Sequence, residues 1–248
     1  MASLIKGQLV VVESVPDTFA LLARKILEPI SKSREVVLAL SGGPTARLCY
    51  DRLASMEISE RKINWANIHV IMGDERCVDF SDIDSNAKLV KESLLDKVGP
   101  VNAFTPLTCG DRGESVANVI EGAARKNSTL GIDLAHLGLG PDGHSASLFP
   151  NSTALFADDS VLTTLNSDPS GNNPHDRVTL TYGGLSRAEK TLITVSGASK
   201  ADALAQIASG IPLPAANLHS HGLIWIVDQA AASKLPSSIA TSVDDLEI

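Results

Sequence analysis

The chain has 248 residues, 44% hydrophobic and only 4% aromatic, enough for a core of Ala, Leu, Val and Ile in one large or two small α/β domains. Its 21 Lys and Arg against 29 Asp and Glu leave a net charge of −8 with no basic cluster, which argues against a nucleic-acid partner and obliges any anionic ligand to rely on local cations or backbone N–H groups. No run is long enough to span a bilayer, and the N-terminal stretch lacks the apolar core of a signal peptide.

Short apolar runs alternate with helical patterns. Leu9–Val12 reads as a strand. Ser14-Val15-Pro16-Asp17 has capping-box spacing with Pro early in the helix, and Phe19, Leu22, Ile26 and Ile30 recur at helical intervals. Val36–Leu40 is continuously apolar, as a strand buried on both faces requires. A Gly-Gly loop and a helix around Ala46–Ala54 follow, then a strand at Ile68–Met72. A helix over Ser85–Val98 is expected to bury Leu89, Leu94, Leu95 and Val98, and another covers Gly113–Lys126. Ile132–Leu137 is the next strand. Asn166–Asp176, rich in Pro, Gly, Ser and Asn, is a loop. Arg177–Thr181 alternates and suits a smaller antiparallel piece. Thr191–Ser196 is a strand, Ser199-Lys200-Ala201-Asp202 is a second capping box opening a helix, and Leu223–Val227 is the last strand. The alternation predicts an α/β fold: a mostly parallel, Rossmann-like sheet flanked by helices, with a small antiparallel subsheet. No repeat or linker divides the chain, which reads as a single domain over 1–248.

Chemistry concentrates where strands end. Gly138-Leu139-Gly140-Pro141-Asp142-Gly143-His144 follows the strand Ile132–Leu137, and three glycines there impose a tight turn around a carboxylate and an imidazole. Asp142 can orient His144, and an imidazole titrating near ~6.5 is a suitable proton acceptor at neutral pH; a structural His in a turn fits the same residues. Gly138, Gly140 and Gly143 also match G-x-G-x-x-G, with Asp158 twenty residues beyond the first. A dinucleotide site fits poorly, because Asp142 would face the pyrophosphate and Pro150-Asn151 would stop the following helix. Ser41-Gly42-Gly43-Pro44-Thr45 joins a buried strand to a helix, a position whose free N–H groups and helix dipole suit phosphate. It is not a Walker A loop, since no Gly-Lys-Ser/Thr follows.

Gly73-Asp74-Glu75-Arg76 follows Ile68–Met72 and lies at the same edge. It is either a solvated charged turn or, with Asp74 or Arg76 pointing inward, part of a site. Arg177 and Lys200 are further cations near strand ends, each a phosphate ligand or a surface charge. His219-Ser220-His221 lacks a third ligand and reads as a loop pair. The three cysteines, without a C-x-x-C pair, read as small apolar packing in a reducing cytoplasmic setting. With no G-x-S-x-G or H-E-x-x-H motif, a hydrolase here would use His-activated water.

Together these pieces resemble the 6-phosphogluconolactonase family. The resemblance is carried by Leu40–Thr45, Trp65 through Gly73–Arg76 to Ser85-Asn86, Gly138–Pro150, Arg177–Thr181, Ser196–Lys200 and Leu223–Asp228, in family order across nearly the whole chain. It implies hydrolysis of 6-phospho-D-glucono-1,5-lactone in the oxidative pentose phosphate pathway, and a fold like the glucosamine-6-phosphate deaminase and ribose-5-phosphate isomerase group. By matching positions His144 would be the general base, with Asp142 and Asp74 positioning it or the sugar. Arg76, Arg177 and Lys200 would meet phosphate or lactone oxygens with Ser41, Gly42, Gly43 and Thr45, and Ser147 joins that substrate-binding set. No cofactor or metal is implied, and the partner is a small sugar-phosphate lactone, met by a monomer or small homo-oligomer. Many members have Ser where Pro44 stands, and Tyr and Pro where Cys77 and Asp79 stand; Pro44 removes one N–H from the loop.

Two other readings share these motifs. The related deaminases carry Glu five residues after the His, where this chain has Phe149 and no titratable group. A non-catalytic sugar-phosphate sensor would use the same scaffold, but retention of both Asp142 and His144 favours catalysis.

Overall fold

The computed structural model describes residues 4–236 and 239–247. In chain order the elements are β1 (Gln8–Val12), α1 (Val15–Ser31), β2 (Val36–Leu40), α2 (Pro44–Glu60), β3 (Ile68–Met72), β4 (Asp74–Arg76), α3 (Asn86–Val90), α4 (Asp96–Val98) and β5 (Ala103–Thr105). Then come α5 (Glu114–Asn127), β6 (Ile132–Gly138), β7 (Thr163–Asn166), β8 (Arg177–Leu180), α6 (Tyr182–Leu185), β9 (Ala188–Val195), α7 (Ala201–Ala208) and β10 (Gly222–Asp228).

Seven strands form one parallel sheet in the order β1-β10-β9-β6-β2-β3-β5, and β4-β8-β7 form a separate antiparallel sheet. The α/β expectation with a small antiparallel subsheet is met. All five residues of β2 are buried, as are Ile132–Leu137 of β6, because helices cover both faces of a parallel sheet. From β2 the chain moves outward to β3, and from β6 it moves the other way to β9. Their adjacent carboxyl ends therefore form a switch point, where open α/β sheets leave a crevice. Asp133 at the start of β6 accepts the Val37 amide at 2.8 Å and pairs with Arg34, tying the two central strands together.

α1 follows the sequence pattern closely. Ser14 is its N-cap and accepts from the Asp17 amide, with Pro in the first turn. Phe19, Leu22 and Ile26 are buried, and Ile30 sits at the edge of the core. The Ser85–Val98 segment departs from expectation. A π turn over Lys91–Leu95 separates α3 from α4 and shifts the helical phase. Ala87, Val90 and Leu94 are the fully buried positions, while Leu89, Leu95 and Val98 are half-buried at its margin. Ser85 caps α3 by accepting the Lys88 amide at 3.1 Å. The second expected capping box does not form. A 3-10 turn at Ala198–Lys200 precedes α7, and neither Ser199 nor another side chain caps that helix. The loop is held by Asp228, which accepts from Ser196 Oγ at 2.5 Å and the Gly197 amide at 2.9 Å. β4, β5 and β7 span three or four residues each, too few to show a period of two.

The cysteine reading holds only for Cys49, which is buried and whose thiol burial pushes up to about 12. Cys77 and Cys109 instead form a disulfide, with Cα atoms 5.6 Å apart across 32 residues. Cys77 directly follows β4 and Cys109 lies in the loop after β5, a proximity no local spacing reveals. Among the described residues no helix is long and apolar enough to cross a membrane.

Two measurements test these packing statements. Cys109→Ser is expected to lower unfolding free energy by about 2–4 kcal/mol, since the cross-link closes a loop of over thirty residues; urea titrations without reductant read this directly. His136 on β6 is 1% exposed, and burial holds its imidazole down to about 3. In the unfolded chain it titrates near ~6.5, so below that pH the unfolded state binds the extra proton and stability falls as pH drops towards 3, by ~1.4 kcal/mol per pH unit. His136→Gln is expected to flatten this slope by about one proton between pH 6 and 4.

Candidate active site

The carboxyl ends of β2, β3, β6 and β9 converge on a cavity of about 490 Å³. Its wall includes Ser41, Gly42, Gly43, Thr45, Asp74, Arg76, His144, Ser147, Arg177 and Lys200. Asp142 lies directly behind His144. The structure thus brings the site residues read from the sequence into one place.

The turn after β6 is built around Asp142 and His144. Asp142 Oδ1 accepts from His144 Nδ1 at 2.6 Å and from the His144 amide at 3.2 Å. An ionised carboxylate only accepts, so Nδ1 carries the proton and Nε2 is the basic nitrogen. Burial alone would raise the Asp142 carboxyl, but the hydrogen bonds and charge of His144 outweigh it, and the carboxyl lies below its ordinary range. Gly140 is required here: a Cβ would fall on His144 Nδ1 and Asp142 Oδ1. No α-helix opens from this turn, only a 3-10 turn at Thr153–Phe156, which disposes of the dinucleotide pattern.

Ser147 anchors the far end of the turn. Its hydroxyl donates to Asp74 Oδ2 at 2.7 Å, its amide donates to Thr179 Oγ1 at 3.2 Å, and its carbonyl accepts from Asn166 Nδ2 at 2.7 Å. These partners lie on β4, β8 and β7, so each strand of the small sheet holds Ser147 once. Asp74, 8% exposed, points into the site as one of the two readings of that segment required. Glu75 points the other way. Its carboxylate accepts the amides of Arg76, Asn86 and Ala87, each at 2.7 Å, and so caps α3; burial nevertheless pushes it up.

The cations differ in how they are held. Arg76 donates to the Asp84 carbonyl at 2.7 Å and to Asn86 Oδ1 at 2.9 Å. Asn86 in turn donates to the Asp74 carbonyl at 3.0 Å and fills the space a Cβ on Gly42 would take. Arg177 is 5% exposed, lies 6.0 Å over the Phe149 ring, and its buried Nε has no partner. Its guanidinium makes no ion pair among the described residues, and burial lowers its affinity for its proton. Lys200 is likewise free of ion pairs among the described residues, and burial lowers it against the pull of Asp142. A buried guanidinium without a carboxylate is costly unless an anion completes it. α2 opens into the same cavity with Gly43 as an uncapped N-cap and Pro44 in its first turn, leaving N-terminal amides for that anion.

Asn86, Ser196 and Ser199 also line the cavity, from segments noted in the sequence but not read as site residues, and two more were in no motif at all. Thr194 and Asn173 line the cavity, the first as a polar residue closing an apolar strand, the second inside a long polar loop. Only Thr194 carried a signal, its position at a strand's carboxyl end. His219 and His221 form the expected loop pair: His219 Nε2 meets Lys6 Nζ at 3.1 Å and His221 faces Glu189 at 3.6 Å.

A profile of the family described as glucosamine-6-phosphate isomerases/6-phosphogluconolactonase matches residues 12–225. A 6-phosphogluconolactonase of Nostoc sp. is 34% identical over 90% of this chain and 98% of its own length. The crystal structure of 6-phosphogluconolactonase from Thermotoga maritima superposes with a TM-score of 0.72 at 28% identity, covering 90% of this chain and all of that one. A monomeric glucosamine-6-phosphate deaminase superposes equally well, 0.72 over 92% of this chain and 99% of its own, at 18% identity, a likeness of fold alone.

Because Arg177 is buried and unpaired, Arg177→Met is expected to stabilise the fold by about 1–2 kcal/mol. Millimolar inorganic phosphate is expected to raise the melting temperature of the wild type and to leave that of this variant unchanged, read in one set of thermal melts.

Proposed function

The chain belongs to the glucosamine-6-phosphate isomerase/6-phosphogluconolactonase family, and on that premise we propose its activity and the role of each site residue. The protein is an enzyme that hydrolyses 6-phospho-D-glucono-1,5-lactone to 6-phospho-D-gluconate, a step of the oxidative pentose phosphate pathway. The observation that carries this reading is the pairing of a base with unsatisfied cations. The Asp142–His144 pair shares one cavity with Arg177 and Lys200, neither of which forms an ion pair among the described residues.

A lactone is already an activated ester, so hydrolysis asks for positioning, a base and stabilisation of the developing oxyanion. His144 Nε2 takes a proton from the attacking water as the oxygen bonds to C1. Asp142 holds the ring through Nδ1 and stabilises the imidazolium that results. The proton then passes to the ring oxygen as the C1–O bond breaks, giving the carboxylic acid. Arg76, Arg177, Lys200 and the start of α2 receive the phosphate and the lactone oxygens. Phosphate binding remote from C1 supplies energy that orients the reacting carbon. Asp74, fixed by Ser147, accepts from a sugar hydroxyl. The whole reaction is contained in one domain acting on a small ligand.

Phe149 supports lactone hydrolysis over deamination. It is 1% exposed, its ring lies 4.9 Å from that of His144, and it packs beneath Arg177. Ring opening of an amino sugar needs a second titratable group beside the His, and an apolar ring occupies that place.

Parallel assays with 6-phosphogluconolactone and glucosamine 6-phosphate test the reaction: turnover of the first and no ammonia from the second is expected, and ammonia release would replace the lactonase reading. His144→Ala is expected to retain 6-phosphogluconate binding while losing about 10²–10⁴-fold in kcat. Near-normal turnover in that variant would remove His144 as the base.

A further inference from the structure

Beneath the phosphate-facing loop lies a second imidazole, fully enclosed. His136 Nδ1 is 2.8 Å from the Tyr50 hydroxyl, and its Nε2 is 2.9 Å from Thr194 Oγ1. The Tyr50 hydroxyl also accepts the Ser41 amide at 3.0 Å and donates to the Ser41 carbonyl at 2.9 Å. Ser41 Oγ donates to the His136 carbonyl at 2.8 Å. The Phe19 ring packs on the imidazole, 4.1 Å between centroids. Every polar group of Ser41 is thus engaged by this cluster, at the first residue of the Ser41–Thr45 loop.

Counting protons fixes the arrangement. The Tyr50 hydroxyl has one hydrogen, and the Ser41 carbonyl uses it. Its two lone pairs then take the Ser41 amide and a hydrogen from His136, so Nδ1 is the protonated nitrogen. Nε2 is left bare and accepts from Thr194. The opposite tautomer would turn the Tyr50 hydrogen to Nδ1 and strip the Ser41 carbonyl of its donor, which burial makes unfavourable. With its hydrogen committed to His136, Thr194 offers only lone pairs elsewhere. Thr194 also lines the cavity, where such a lone pair can meet a hydroxyl.

We propose that His136 is a positioning residue: its Nδ1–H tautomer turns Thr194 into an obligate hydrogen-bond acceptor for a substrate hydroxyl and, through Tyr50, clasps the Ser41 peptide that starts the phosphate-facing loop. This deepens the lactonase reading and rests on it. Both contacts are proposed as uniform binding, made alike in the ground and transition states, so their loss is expected in KM and not in kcat.

Nitrogen-15 NMR of the wild type is expected to show a neutral His136 with the hydrogen on Nδ1; a hydrogen on Nε2 would overturn the proposal without any variant. His136→Leu is expected to raise KM for 6-phosphogluconolactone roughly tenfold, with kcat within about twofold. His136→Gln offers one donor and one acceptor and is expected to restore KM to within about threefold. Thr194→Val is expected to reproduce the KM rise. An unchanged KM in His136→Leu or Thr194→Val overturns the positioning role, as does an equal fall in kcat. Failure of the wild type to hydrolyse the lactone would instead strike the function, and the NMR arm would still decide the tautomer.

Discussion

Three hydrogen bonds to Ser147 hold the site in place. The turn after β6 leaves the large sheet; its own bonds close it around Asp142 and His144, and Ser147 ties it to the second sheet. Ser147 is bonded to Asp74 on β4, Thr179 on β8 and Asn166 on β7. The small antiparallel sheet therefore acts as a clamp, and the turn is fixed between two sheets. Gly140 lets the backbone pass under the imidazole, and the Asp142 bond sets the ring's tautomer. Each contact confines a group whose geometry the chemistry depends on.

An acidic protein with an anionic substrate must reverse its own field locally. The overall charge is −8, and Asp74 and Asp142 stand close to the cavity. Water and salt screen the distant surface charges within roughly 8–10 Å, whereas groups inside the cavity act in a low dielectric. Neither Arg177 nor Lys200 forms an ion pair among the described residues, though carboxylates stand near both, so both remain available. On the proposed reading, Arg177 weakens the empty fold and favours the occupied one. Arg76, by contrast, is tied to Asp84 and Asn86 and contributes a fixed direction more than an unmet charge.

Much of this was legible in the chain. β2, β3 and β6 are apolar runs with polar or glycine-rich ends, and the parallel sheet follows from them. Asp142, Gly143 and His144 are neighbours in sequence, so their chemistry could be read before any folding. Other features depend on pairs far apart. Cys77 and Cys109 look like two ordinary apolar thiols until β4 and the loop after β5 are placed side by side. The π turn after α3 changes which face is buried with no change in composition. Ser199 has the sequence of a cap, yet Asp228 takes over the loop from another strand. His136 looked like one more residue of a buried strand, and its role depends on Tyr50 and Thr194, 86 and 58 residues away.

By itself the sequence determined the fold class, the strand ends on which the site is built, and the adjacency of the carboxylate and imidazole proposed as orienting group and base. Periodicity and local spacing encode those, because they arise from residues within a few positions of one another. Only the tertiary structure decided which cations form no ion pair among the described residues, which way Asp74 and Glu75 face, how Ser147 is anchored and which hydroxyls meet the two nitrogens of His136. Each of those is a question of what lies opposite a side chain once it is buried, and that is settled by packing across the sheets.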